Sequence, residues 1–231
     1  TNKLTDKINK YSNKNINVRT FYLFWNDYNE NNKYIIITRN PKEIICSGYL
    51  YHKKCKEHWA ITKDGDYYDY WKYKHFTKES VEKNKNYIDY PLSFSKPISY
   101  QNKLNNLSQT EGIITEMNSA AYLTIKGMYN LVHYNKKNVL VLKYEDLVFN
   151  HDESVRRLCS FIGLNETVTE NILNVSIEDN LIYQKKEKKL TTHTTNTDVD
   201  PNRYQKFWNN EIDTEFKKIF PSDIMEKLGY N

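Results

Sequence analysis

Apolar positions along this chain change spacing several times, and the changes mark its elements. Residues 34–38, Tyr-Ile-Ile-Ile-Thr, form a short and almost unbroken apolar run, the pattern of a parallel strand covered on both faces. Arg39 ends the run, and the chain turns directly into a helix predicted over 41–57. Asn40 is a good N-cap, Pro41 suits the first helical position, and Glu43 stands three residues after the cap, as in a capping box. The free N–H groups and positive dipole end of such a helix attract anions. Arg39 adds a planar, bidentate cation, and Ser47, eight residues later, adds a hydroxyl. Together these residues read as a phosphate pocket.

The remaining pattern alternates strands and helices. Residues 1–13 predict a helix with Leu4, Ile8 and Tyr11 on one face, and 18–25 predict a strand. A helix at about 110–134 opens with Ser108-Gln-Thr-Glu111, another capping-box pattern. A strand at 139–143 follows. The next helix, 152–162, carries Val155, Leu158, Cys159 and Ile162 on one face and stops at Gly163. A last helix is predicted over 211–228. This alternation predicts an α/β fold, a mainly parallel central sheet flanked by helices, with ligand outside the carboxyl ends of the strands. Two stretches break the rhythm. Residues 58–98 interleave Trp59, Tyr67, Tyr68, Tyr70, Trp71, Tyr73, His75, Tyr87 and Tyr90 with charges, and fit either a lid whose rings stack on a sugar or an insertion with rings packed on the core. Residues 184–202, rich in Lys and Thr, predict a flexible loop that orders with ligand.

Composition narrows the reading only slightly. At 231 residues the chain suits a single domain, 1–231, with a substantial core, and no run approaches the ~18 apolar residues of a membrane span. Its net charge of +5 rests on 29 Lys and only 5 Arg. That balance fits an anionic ligand, but much of it is a solvated lysine surface. The lysines are scattered rather than striped, which argues against nucleic acid as a partner. Cys46, Cys55 and Cys159 form neither a zinc spacing nor a disulfide framework, so no metal is expected and a reducing, cytoplasmic setting is. Cys46 and Cys159 sit at apolar helix positions and are expected in the core.

Arg39-Asn-Pro-Lys, five residues, then Ser47, all after an apolar strand, resembles the 3′-phosphate segment of sulfotransferases that use 3′-phosphoadenosine 5′-phosphosulfate (PAPS). A second block is similar to the strand, YEDL turn and helix ending in F(I/L)GL of the same family: Asn138 to Leu147, then Ser154 to Leu164. A third, Asn202-Arg203-Tyr-Gln-Lys-Phe-Trp208 followed by Leu228-Gly-Tyr230, resembles the family's C-terminal end without its glycines. The segment from Ser99 to Ile113 has the look of some carbohydrate-type members. The family's 5′-phosphosulfate loop, a Lys-Ser/Thr-Gly-Thr turn, does not occur in the chain. Residues Leu4 to Tyr11 then read as the rest of the helix that loop opens, with strand and loop lying upstream of Thr1 rather than lost.

The resemblance implies a P-loop NTPase-like sulfotransferase architecture. It also implies transfer of a sulfuryl group from PAPS to a hydroxyl or amine of a small-molecule or carbohydrate acceptor, leaving adenosine 3′,5′-bisphosphate. By the same resemblance Arg39 and Ser47 hold the 3′-phosphate, Arg203 is a second ligand for it, and Tyr144 lies near the adenine. The family places its base, a histidine, at the end of the strand before the arginine. Here that strand ends Phe24-Trp25-Asn26-Asp27, so Asp27 is the nearest candidate by position. His52, five residues past Ser47 and roughly 140° round the helix from it, is the other. The rival reading is a catalytically inactive relative that binds nucleotide or glycan. A nucleoside-phosphate kinase would need a Gly-x4-Gly-Lys-Ser/Thr loop, which the chain lacks.

Overall fold

A computed structural model describes residues 2–12, 30–61, 98–132, 137–180 and 200–230. The expected strand at 18–25, with Asp27 just after it, lies outside these residues, as do most of 58–98 and of 184–202.

The chain opens with α1 (Asn2–Ser12) and enters β1 (Tyr34–Thr38), which runs into α2 (Pro41–His52). Helix α2 stops at Lys53 rather than reaching residue 57, and the short α3 (His58–Ile61) follows. Next come α4 (Tyr100–Asn106), α5 (Gln109–Met117) and α6 (Ala120–Val132). The predicted 110–134 helix is thus two helices, broken at Asn118 and Ser119. There the Asn118 amide donates to the Ile114 carbonyl at 2.9 Å and the Ser119 hydroxyl donates to that of Thr115, side-chain bonds that compete with the helical ladder. The predicted capping box is present at the start of α5, with Ser108 and Glu111 bonded reciprocally.

Strand β2 (Val139–Lys143) pairs parallel with β1, from Tyr34 opposite Val139 to Thr38 opposite Lys143. Both strands therefore end together, and their carboxyl ends carry Arg39 and Tyr144. Among the described residues the sheet consists of these two strands, in a largely helical α/β fold. From β2 the chain passes through α7 (Tyr144–Phe149), α8 (His151–Ile162) and α9 (Glu166–Ser176). Gly163 closes α8 in the left-handed conformation, φ 81°, as its position predicts. A 3₁₀ turn (Arg203–Lys206), α10 (Asn210–Ile219) and α11 (Ile224–Lys227) follow. The predicted 211–228 helix breaks between α10 and α11, where Pro221 disfavours helical backbone at Phe220.

Two clusters of buried side chains hold the elements. One gathers Ile45, Cys46 and Tyr49 of α2 with Trp59, Tyr100, Leu104, Ile113, Met117, Ile125, Ile212 and Phe216. The other joins Ile8 of α1 to Leu142 of β2, to Val155, Leu158 and Cys159 of α8, and to Ile172 and Leu173 of α9. Each fully buried aliphatic side chain contributes roughly 1.5–3 kcal/mol of transfer free energy. All three cysteines are free and buried, Cys46 and Cys159 as expected. Trp59, at the start of the aromatic stretch, stacks on Tyr100 at 5.5 Å inside the first cluster, so this ring is core. Among the described residues no helix is long and apolar enough to cross a membrane.

Candidate functional site

The turn between β1 and α2 is fixed from three directions. Asn40 caps α2, its Oδ1 accepting the Lys42 N–H at 2.9 Å. Its own N–H does not go to Glu43. Glu145, in the turn after β2, accepts it at 3.1 Å, and the second Glu145 oxygen accepts the Tyr230 hydroxyl at 2.5 Å. The capping-box expectation at Glu43 is therefore corrected: a carboxylate from the neighbouring strand's end does that work. Lys143 donates to the Gly229 carbonyl and sits 5.0 Å over the Tyr230 ring, docking the C-terminal Leu-Gly-Tyr on β2. Burial and the Glu145 carboxylate push the Tyr230 hydroxyl well above the ordinary tyrosine range.

Released from capping, Glu43 points inward and is 2% exposed. Its carboxylate lies 3.8 Å from the Arg39 guanidinium and 3.7 Å from that of Arg203. The backbone N–H of Tyr204 donates to its other oxygen. Arg39 also covers the Tyr144 ring at 5.0 Å, a cation–π contact. The structure thus brings Arg39, Tyr144 and Arg203 around one buried acid at the carboxyl ends of the strands. Burial raises the Glu43 carboxyl above its usual value against the opposing pull of the Tyr204 N–H, Arg203 and Arg39, with Asp200 adding to the rise. Burial likewise raises the Tyr144 hydroxyl, and it pushes the Cys46 thiol up to about 12.

Arg203 is itself buried, and its Nε has no hydrogen-bond partner. A buried, unpartnered charged donor costs free energy unless something accepts from it. An anion of tetrahedral oxygens fits this requirement, with two guanidiniums converging beside a helix N-terminus. Lys42, one residue before Glu43, is occupied elsewhere. It pairs with Asp213 at 3.2 Å and lies 5.0 Å over the Trp208 ring, which ties α2 to α10.

Two other candidates stand further along α2. Ser47 is half-buried on α2, about 10 Å along the axis from Asn40. His52 ends α2, about 18 Å along the axis from the cap. Its Nδ1 lies 2.8 Å from Glu116 Oε2, the atom that also accepts the Tyr100 hydroxyl at 2.6 Å, and the rings of Tyr51, Trp59 and Tyr100 surround it. Asp27 lies outside the described residues. Sequence reading missed Glu43 as a member of the site. One signal was present, since Glu43 stands three residues before buried Cys46 and so shares its helix face.

A family model of the sulfotransferase domain matches residues 10–229, nearly the whole chain and, but for Tyr230, all three blocks noted above. No curated protein and no solved structure matched it. With that match spanning β1, α2 and the arginine cluster, the chain belongs to the sulfotransferase domain family.

Proposed function

We propose that this chain transfers a sulfuryl group from PAPS to a hydroxyl or amine acceptor, with a glycan favoured by the aromatic stretch 58–98. The observation that carries this reading is the convergence of Arg39 and Arg203, 164 positions apart, on one carboxylate oxygen of Glu43, with the Arg203 Nε still lacking an acceptor. In this reading Arg39, Arg203, Ser47 and the N-terminus of α2 bind the nucleotide's 3′-phosphate, and Tyr144 borders its adenine. Bound PAPS supplies the activated sulfuryl group. The chain's part is to orient it in line with the acceptor and to hold charge in place, as in phosphoryl transfer. A side-chain base takes the acceptor proton, worth roughly 10²–10⁴-fold in rate. Asp27 and His52 are the two candidates, and Glu116 orients the His52 ring through Nδ1. The same reading takes residues 1–231 as one domain whose sheet extends beyond β1 and β2.

Calorimetric titration with adenosine 3′,5′-bisphosphate against 5′-AMP tests the proposal. The bisphosphate should bind more tightly, and Arg39→Ala should abolish the preference. A hydrogen-bonded charge pair is worth about 1.5–3 kcal/mol, or roughly 10- to 150-fold. Equal binding of the two nucleotides by the unaltered protein refutes the PAPS reading. Preference for the bisphosphate without turnover on any acceptor would establish the inactive binding module instead. Turnover of Asp27→Asn and His52→Gln at intact bisphosphate affinity separates the two candidate bases.

A further inference from the structure

We propose that Glu43 is a positioning residue, a buried latch that holds Arg203 and its segment beside Arg39 before the nucleotide arrives. This rests on the nucleotide reading above and adds to it the group that assembles the pocket.

Three features of the geometry support the latch. First, Glu43 contacts both arginines at 3.7–3.8 Å, beyond hydrogen-bond distance. It attracts the two guanidiniums without consuming their N–H donors, which stay available to phosphate oxygens. Second, the hydrogen bond Glu43 does accept comes from the N–H of Tyr204, the residue next to Arg203. The carboxylate therefore grips both the backbone and the charge of a four-residue 3₁₀ turn. Third, Arg39 and Arg203 against Glu43 leave one net positive charge at the start of α2, and the neighbouring Asp200 is offset by Lys206 at 3.5 Å, so an anion is still attracted.

Simple charge counting predicts the opposite effect. If Glu43 merely competed with phosphate for the arginines, neutralising it would tighten anion binding. A latch predicts weaker binding, because Arg203 then has to be ordered at the ligand's expense.

Folding stability separates both from a general structural role. The groups facing the Glu43 carboxylate are Arg39, Arg203, Asp200 and the Cys46 thiol. The carboxyl is raised above 4.5 in the folded protein, because burial outweighs its two arginines. A raised value means that stability is fully present below the unfolded value and falls as pH rises through the folded one. Ionising this carboxyl therefore costs the fold stability relative to its protonated form. Glu43→Gln, isosteric and able to accept from Tyr204, should melt no lower than the unaltered protein.

The test is calorimetric titration of adenosine 3′,5′-bisphosphate and 5′-AMP into the full chain, Glu43→Gln, Arg203→Met and the double variant, each with a thermal melt. Expected is a bisphosphate affinity roughly tenfold lower in Glu43→Gln, 5′-AMP affinity unchanged, and no further loss when Glu43→Gln is added to Arg203→Met. Unchanged or tighter bisphosphate binding in Glu43→Gln overturns the latch. So does the same tenfold loss in the Arg203→Met background, or a parallel drop in melting temperature and in affinity for both nucleotides. Glu43→Asp, which keeps a carboxylate but withdraws it by about 1.5 Å, should show the same selective loss, and bisphosphate binding equal to the unaltered protein there also overturns it. If the unaltered protein does not prefer the bisphosphate, the nucleotide reading fails. If it does and Glu43→Gln has no effect, only the latch fails.

Discussion

Gly48, one residue past Ser47, offers a direct check on how α2 meets α5. Replacing it with alanine sets two effects against each other. Within a helix, alanine is favoured over glycine by about 1 kcal/mol. Against that, a Cβ at this position would lie 2.4 Å from Glu116 Oε1 and 3.0 Å from its Cδ. Glu116 has little room to yield, because its carboxylate is buried and its other oxygen is held by His52 at 2.8 Å and Tyr100 at 2.6 Å. Overpacking a tight core contact costs typically 1–3 kcal/mol, and breaking a hydrogen bond to a buried charge costs about 1.5–3 kcal/mol. The clash outweighs the helical gain, for a net loss of about 3 kcal/mol. In a chain of this size that lowers the melting temperature by about 6–12 °C. Thermal melts followed by circular dichroism measure it, with Gly163→Ala as comparator. Gly163 has φ 81° and nothing within 4 Å of an added Cβ, so only backbone strain of roughly 1–2 kcal/mol applies there. A Gly48→Ala protein that melts at or above the original temperature would refute the close approach of α2 to Glu116.

Two further outcomes follow from named contacts. Tyr230→Phe removes the donor to Glu145 Oε2 and should cost about 1.5–3 kcal/mol in denaturant unfolding; a loss under about 0.5 kcal/mol would mean the C-terminal dock does not depend on that bond. The Asp213 carboxyl is held below its ordinary 3.8 by Lys217 first, then by the Trp208 indole N–H and Lys42. A lowered value contributes stability present above the unfolded value and lost as pH falls through the folded one, so Asp213→Asn should flatten the acid limb below about pH 4, and an unchanged limb would count against it.

Much of the local architecture around the site could be read from residues close together in sequence. The apolar run 34–38, the Asn40 cap, Pro41, the Ser108–Glu111 box and the Gly163 stop each act within about one turn of helix or one strand. Such signals depend on backbone groups that neighbouring residues must satisfy, whatever the rest of the chain does. The break at Pro221 was equally local and should have divided the 211–228 helix in advance. The break at Asn118 and Ser119 was harder to foresee, since both residues occur inside helices when their side chains face elsewhere.

Sequence by itself determined the strand, the capped helix and the arginine at their junction, because those are matters of periodicity, φ preference and orphan N–H groups. Tertiary structure decided which carboxylate does which task. Glu43 and Glu145 are equally fit to accept the Asn40 N–H; the parallel register of β1 and β2 brings Glu145 to it and leaves Glu43 to the interior. Only there does it meet Arg203, whose position in a short 3₁₀ turn carries no sequence signal linking it to residue 43. Charges 160 positions apart meet because the burial of α2 against the C-terminal segment puts them together, and no local rule encodes that packing.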